Sequence, residues 1–213
     1  MTPLLRWGNA LLKLEMFRPR GSVSDRAPAP EGIPELSGNQ ALSFAQPGKE
    51  LALRGVVTHE MRETLRIWGA RIAPRGTPWK PDPGVFARTL GAELLEQLAE
   101  PPPLVVGPVG EDAALLGALA ALRTRWPGVR GVFLVATNAE LPDLPEWAKV
   151  PDRMELEPVG RSEAAAARSR LGRELGLLAN HAGAAAAAYA HEHGGVAIVT
   201  APGEREFSLE AQP

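Results

Sequence analysis

Residues 14–26 read LEMFRPRGSVSDR, a turn-rich stretch that runs straight into the proline-broken segment DRAPAPEGIPELSGN. Pro28, Pro30 and Pro34 each bias the preceding residue away from the helical region. No long helix can follow Asp25, and residues 20–36 read as loop. Asp25 and Arg26 are expected to fix that loop by an internal ion pair.

Downstream of this loop, SGNQALSFA reads as a short helix ending before Pro47-Gly48, LALRGVV as a strand, and THEMRETLRIWGA as a helix with Thr58 as its N-cap. The second half is more regular. A helix over PGVFARTLGAELLEQLAE precedes the strand PLVVGPV, the helix EDAALLGALAALRTRW, the stop Pro127-Gly128 and the strand RGVFLVAT. After the proline-rich ELPDLPEWAKVPDR come a short strand MELEPV, a helix capped by Ser162 through about Gly176, the helix AGAAAAAYAHEH and a last strand GGVAIVTA. Short apolar runs alternating with amphipathic helices argue for a parallel sheet covered on both faces. The fold class is α/β, with a loop-rich first half and a fuller C-terminal lobe.

The 213 residues, 45% apolar and 23% charged, suffice for a real core. A net charge of −2 leaves no basic footprint for nucleic acid. The absence of cysteine excludes disulfides, thiolate nucleophiles and Cys-ligated metals together. The start MTPLLRWGNALLKLE lacks the pattern of a secretory signal, and no window carries about 18 uninterrupted apolar residues. No membrane association is expected, and the cytoplasm is the expected compartment.

Six segments, in order, resemble the pyridoxal-phosphate enzymes of the cysteine synthase and tryptophan synthase β-chain type. TPLLRW is similar to their N-terminal TPL segment, and LLKLEMFRPRGSVSDR to the KLE…GSVKDR block that carries the Schiff-base lysine. SGNQALSFA resembles their SGNTGIALA helix, IWGARI their GA segment, TLGAELLEQL their TGPEI helix, and LLANHAGAAAAAYA their SSGAALAAA helix. The resemblance implies a two-lobed, parallel-sheet-based α/β fold, a cofactor cleft between the lobes and a homodimer. The lobes are expected at residues 15–82, a reduced N-terminal lobe missing at least one strand–helix unit, and at residues 1–14 plus 83–213, the larger C-terminal lobe.

The chemistry that the resemblance implies falls on positions that differ here. The lysine position is Ser24, whose hydroxyl cannot form an imine with an aldehyde. Of the four lysines, Lys13 matches the lysine of KLE, while Lys49, Lys80 and Lys149 lie in loops away from the motif. The phosphate loop, GTGGT in the resembling enzymes, reads GPVGEDAA, so that Gly110, Glu111, Asp112 and Ala113 stand where free backbone N–H groups would meet an anion. Carboxylates in a first turn complement the helix dipole themselves. A dianion about 5 Å from one of them would be opposed by roughly 7 kcal/mol at an effective dielectric near 20. The ring-nitrogen partner, a Ser or Thr of PSSGERY, corresponds to TAPGEREF, with Ala201 and Pro202 at the two serines and Thr200 the one hydroxyl beside them.

Ser37, Gly38, Asn39 and Gln40 survive from the loop that grips a substrate carboxylate in the resembling enzymes, although Ser and Asn before a helix also serve as ordinary N-caps. His191 and His193, two apart, do not share a helix face, and no metal site is expected. His59-Glu60 lacks the second histidine of a zinc-protease helix, and His181 reads as a helix-entry residue. The expected function is that of a catalytically inactive homologue that has lost the cofactor and binds a protein partner, such as an active relative, or a small carboxylate. Two other readings compete with it: a pyridoxal-phosphate-dependent lyase or synthase with a rearranged site, and an amino-acid sensor using SGNQ.

Overall fold

The apolar runs alternate sides. In a strand successive side chains point to opposite faces, and the computed structural model, described over residues 1–54, 59–136 and 154–201, shows both faces of one sheet filled. Its six strands are β1 (Leu4–Trp7), β2 (Ala10–Leu14), β7 (Leu104–Pro108), β8 (Arg130–Ala136), β9 (Met154–Val159) and β10 (Gly195–Val199), in the order β1-β2-β10-β7-β8-β9. Among the described residues only the β1–β2 hairpin is antiparallel, pairing Leu4 with Lys13 and Trp7 with Ala10. The pairs β2–β10, β10–β7, β7–β8 and β8–β9 are all parallel.

Val106, Val132, Leu134, Ala197 and Val199 face one core, built against α6 (Arg161–Leu175) and α7 (His181–His193). Val105, Phe133, Val196 and Ile198 face the other, built against α3 (Pro83–Phe86), α4 (Ala92–Gln97) and α5 (Asp112–Arg125). Burial on both faces explains why these strands read as continuous apolar runs. The alanines of α7 let its backbone lie close to the sheet, with Ala184, Ala186, Ala187 and Ala190 fully buried. A π-turn, Ala87–Gly91, joins α3 to α4, and Gly91 packs where an added Cβ would stand 2.4 Å from that of Ala121.

The second sheet is small and wholly parallel: β3 (Pro34–Leu36), β4 (Glu50–Leu53), β5 (Arg71–Ala73) and β6 (Thr77–Pro78), in the order β5-β4-β3-β6. Its apolar face holds Leu36 and Leu51 against α1 (Gly38–Phe44) and α2 (His59–Ile67), through Ala41, Phe44, Met61 and Leu65. The expected loss of a strand–helix unit is corrected in its strand: four strands are present, each of two to four residues. What is reduced is helix cover. Residues 74–76 alone carry the chain from one edge strand, β5, to the other, β6, and Gly76 lies so close to the sheet that a Cβ there would meet the Ile33 carbonyl at 2.7 Å and Ala52 Cβ at 2.9 Å.

Other local expectations shift in detail. The loop assigned to residues 20–36 contains a 3₁₀ turn, Val23–Arg26, and ends in β3. Helix α6 is capped at Gly160 instead of Ser162, and Gly176, at φ +67°, closes it. Thr58 and Lys149 lie outside the described residues. Among the described residues no helix is long and apolar enough to cross a membrane.

Candidate functional site: a buried acid meets Thr200

The KLE and SDR segments meet in a buried ion cluster. Glu15, one residue beyond β2, receives the Arg26 guanidinium at 2.6 Å and 2.8 Å. Glu93, delivered by the first turn of α4, receives the same guanidinium at 2.9 Å on each oxygen and the Lys13 ammonium at 2.7 Å. The Lys13 Nζ also donates to the Thr2 carbonyl at 2.8 Å and to Gln97 Oε1 at 2.7 Å. Two cations therefore face two carboxylates with nearly every donor used. Burial works to raise the Glu93 carboxyl, but hydrogen bonds from Arg26, Lys13 and the Thr2 amide hold it well below the usual carboxylate range. Burial lowers Lys13 against the hydrogen bond to Glu93. Burial also opposes the Arg26 charge, yet the bonds to Glu15 and Glu93 outweigh it and raise the group further.

The ion pair expected within the loop thus has different partners. Arg26 pairs with Glu15 and Glu93 instead of Asp25, while Asp25 Oδ2 accepts from the Arg20 backbone N–H at 2.7 Å. Ser24 sits at the centre of the 3₁₀ turn, 8% exposed, its amide donating to Ser22 Oγ at 3.1 Å. Among the described residues no lysine is placed to replace the missing amine. Lys13 is fixed in the ion cluster, Lys49 donates to the Pro30 and Gly32 carbonyls, and Lys80 is exposed.

The loop Gly110–Ala113 leads from β7 into α5. Asp112 folds back so that its Oδ1 accepts from the Gly110 amide at 2.9 Å. Burial raises the Asp112 carboxyl, opposed by that bond and by the charge of Arg54 at the end of β4. Glu111, the N-cap residue, turns inward instead. Its Oε1 accepts from the Thr200 hydroxyl at 3.3 Å, and its Oε2 is buried with no hydrogen-bond partner. Part of the residue remains solvent-exposed, but its carboxyl is sealed. Burial pushes the Glu111 carboxyl up to about 7, the Thr200 bond opposing and the charges of Glu15 and Asp112 adding to the shift. Thr200 is in turn held by Asn180, whose Nδ2 donates to the Thr200 Oγ1 at 2.6 Å and whose Oδ1 caps α7 through the Gly183 amide.

Two segments read separately in the sequence, the phosphate loop and the hydroxyl beside the ring-partner position, are thereby joined by one hydrogen bond. Ser37 and Gln40 are spent locally: Gln40 Oε1 accepts from the Ser37 amide at 3.0 Å, closing the start of a seven-residue helix. The side chain of Asn39 lies outside the described residues. His191 packs on Trp7, ring centres 4.5 Å apart, and meets Arg170, whereas His193 stacks on Tyr189. The two histidines do not converge. The sequence reading missed Thr2, Glu15, Glu93 and Asn180. The available signal was charge inside apolar segments, Lys13 and Glu15 in ALLKLE and Glu93 in LGAELL.

No protein-family profile and no curated protein matches the chain. Solved structures do match its fold. The O-acetylserine-dependent cystathionine β-synthase of Helicobacter pylori superposes with a TM-score of 0.78 at 16% identity, covering 97% of this chain and 94% of that one. An O-ureido-L-serine synthase gives 0.76 at 21% identity over 100% and 93%. A hydrogen sulfide-producing enzyme of Fusobacterium nucleatum gives 0.70 at 14% over 96% and 94%. The fold is that of the cysteine-synthase-like pyridoxal-phosphate enzymes.

Proposed function

We propose that this chain keeps the scaffold of the cysteine-synthase-like enzymes without their cofactor chemistry, and acts by binding a small carboxylate or a protein partner. The observation that carries this reading is the Glu111–Thr200 contact. The residues present do not fit pyridoxal phosphate. The amine that would anchor it is a serine hydroxyl at residue 24, and an acid stands at the start of α5, where an anion would need free N–H groups. The ring-partner serines are replaced by Ala201 and Pro202, and the one hydroxyl beside them, on Thr200, is already engaged by that acid and by Asn180.

The two acids compound the difficulty. Glu111 and Asp112 both have raised carboxyl pKa values, so the environment already disfavours negative charge there, and a phosphate would bring two more charges to the same place. Assembly as a homodimer is part of the proposal, and sedimentation at micromolar concentration checks it. The test of the functional reading is the absorption spectrum of the protein as purified and after incubation with pyridoxal phosphate, followed by borohydride and mass spectrometry. No coloured species and no reduced adduct at a single lysine are expected. A stoichiometric adduct would return the chain to the pyridoxal-phosphate enzymes.

A further inference from the structure

The loop that opens the sequence, Arg18 to Gly21, borders a recess of about 710 Å³ lined by Met16, Arg18, Pro19, Arg20, Gly21, Trp68 and Ala201. We infer that this recess is a binding site for a small carboxylate carried on a flat or apolar body, with Arg18 and Arg20 as its anion-holding groups. The inference takes its ligand class from the binding role proposed above, but is independent of whether the cofactor has been lost.

Among the described residues neither guanidinium is neutralised by a carboxylate. The Nη2 of Arg18 reaches only the Asp25 backbone carbonyl, at a long 3.5 Å, and its Nε is buried with no partner. Arg20 donates through Nη1 to the Leu42 carbonyl at 3.0 Å and lies over the Trp68 ring at 4.8 Å. Among the described residues Asp25 is the one carboxylate bonded to this loop, and it meets the Arg20 backbone rather than either guanidinium, its Oδ1 unpartnered. Counted over the described residues, two cations against one anion leave a net positive rim.

Such under-used planar forks match carboxylate geometry with two parallel N–H bonds. The rest of the lining, Met16, Pro19, Trp68 and Ala201, offers an apolar floor for the body of the ligand in a recess open to solvent. The backbone here is set firmly. Gly21 has φ +73°, its carbonyl accepts from the Ala201 amide at 2.8 Å, and a Cβ on it would stand 2.6 Å from the Cβ of Ala201. Only glycine permits this junction, so the arginines project from a fixed turn.

The probe is sodium benzoate, with benzamide as its uncharged counterpart and sodium sulfate as an inorganic anion. Binding is followed by calorimetry and by the Arg18 Nε–Hε signal in nitrogen-15 NMR spectra. Benzoate is expected to bind in the millimolar range and to move that signal, while benzamide and sulfate do not. Arg18→Gln and Arg20→Gln should each weaken benzoate about tenfold, and Arg66→Gln, on the exposed face of α2, should leave it unchanged. Unaltered benzoate affinity in both recess variants overturns the site while sparing a binding role elsewhere. Equal responses to benzoate and sulfate, or none to benzoate, overturn the ligand class.

Discussion

The Thr200 hydroxyl lies 3.3 Å from Glu111 Oε1, and the other oxygen of that carboxyl is buried without a partner. A carboxyl so placed is raised to about 7 from an ordinary 4.5. The folded chain then holds a proton that the unfolded chain has released between these two values. Stability contributed by that proton is full below about 4.5 and is lost as pH rises through 7. Glu111→Gln removes the charge and keeps an acceptor for Thr200. The variant should match the parent near pH 4 and exceed its stability at pH 8 by about 1 to 3 kcal/mol, measured by urea unfolding. Equal stability at both pH values would show that the carboxyl is not held in this way.

Arg26 ties Glu15 to Glu93 inside the protein, its side chain 1% exposed. Removing it leaves the buried Glu15 carboxylate and the half-buried Glu93 with Lys13 as their one nearby cation among the described residues. Arg26→Met should therefore lower stability by about 3 to 5 kcal/mol, seen as an earlier urea midpoint. Arg26→Lys, which keeps the charge but loses the planar fork, should fall between that variant and the parent.

Gly76 carries the chain across the small sheet with no space for a methyl group. Gly76→Ala must push the crossing connection off Ile33 and Ala52, at a cost of about 1 to 3 kcal/mol. Hydrogen exchange should quicken in β3 and β4 before it does in β7 and β10. Gly128→Ala, where no atom lies within 4 Å of an added Cβ, is the control and should be close to neutral.

The larger sheet was legible because parallel strands buried on both faces are short continuous apolar runs, and PLVVGPV, RGVFLVAT and GGVAIVTA have no competing pattern. The β1–β2 hairpin was not read, since LLRW and ALLKL place arginine and lysine in the apolar runs, and the Lys13 ammonium becomes acceptable only with Glu93 and Gln97 from eighty or more residues away. Strands β5 and β6 are too short for any periodicity. At the site, Ser24 and the acids of the α5 loop were visible as residue types. That Glu111 turns inward to Thr200 while Asp112 folds back on Gly110 depends on tertiary packing that brings the ends of β7 and β10 together.

The most direct measurement is a borohydride trap in Ser24→Lys and in the combined variant Ser24→Lys, Glu111→Gly, Asp112→Thr, each mixed with pyridoxal phosphate and read by mass spectrometry. Imine formation needs the aldehyde held near the amine, and in the single variant Glu111 still engages Thr200 and both acids still oppose a phosphate. The expected result is a reduced adduct at residue 24 in the combined variant and none in the single one. A stoichiometric adduct in Ser24→Lys alone, at low cofactor concentration, would contradict it, because the acids at the start of α5 would then be no barrier to the cofactor.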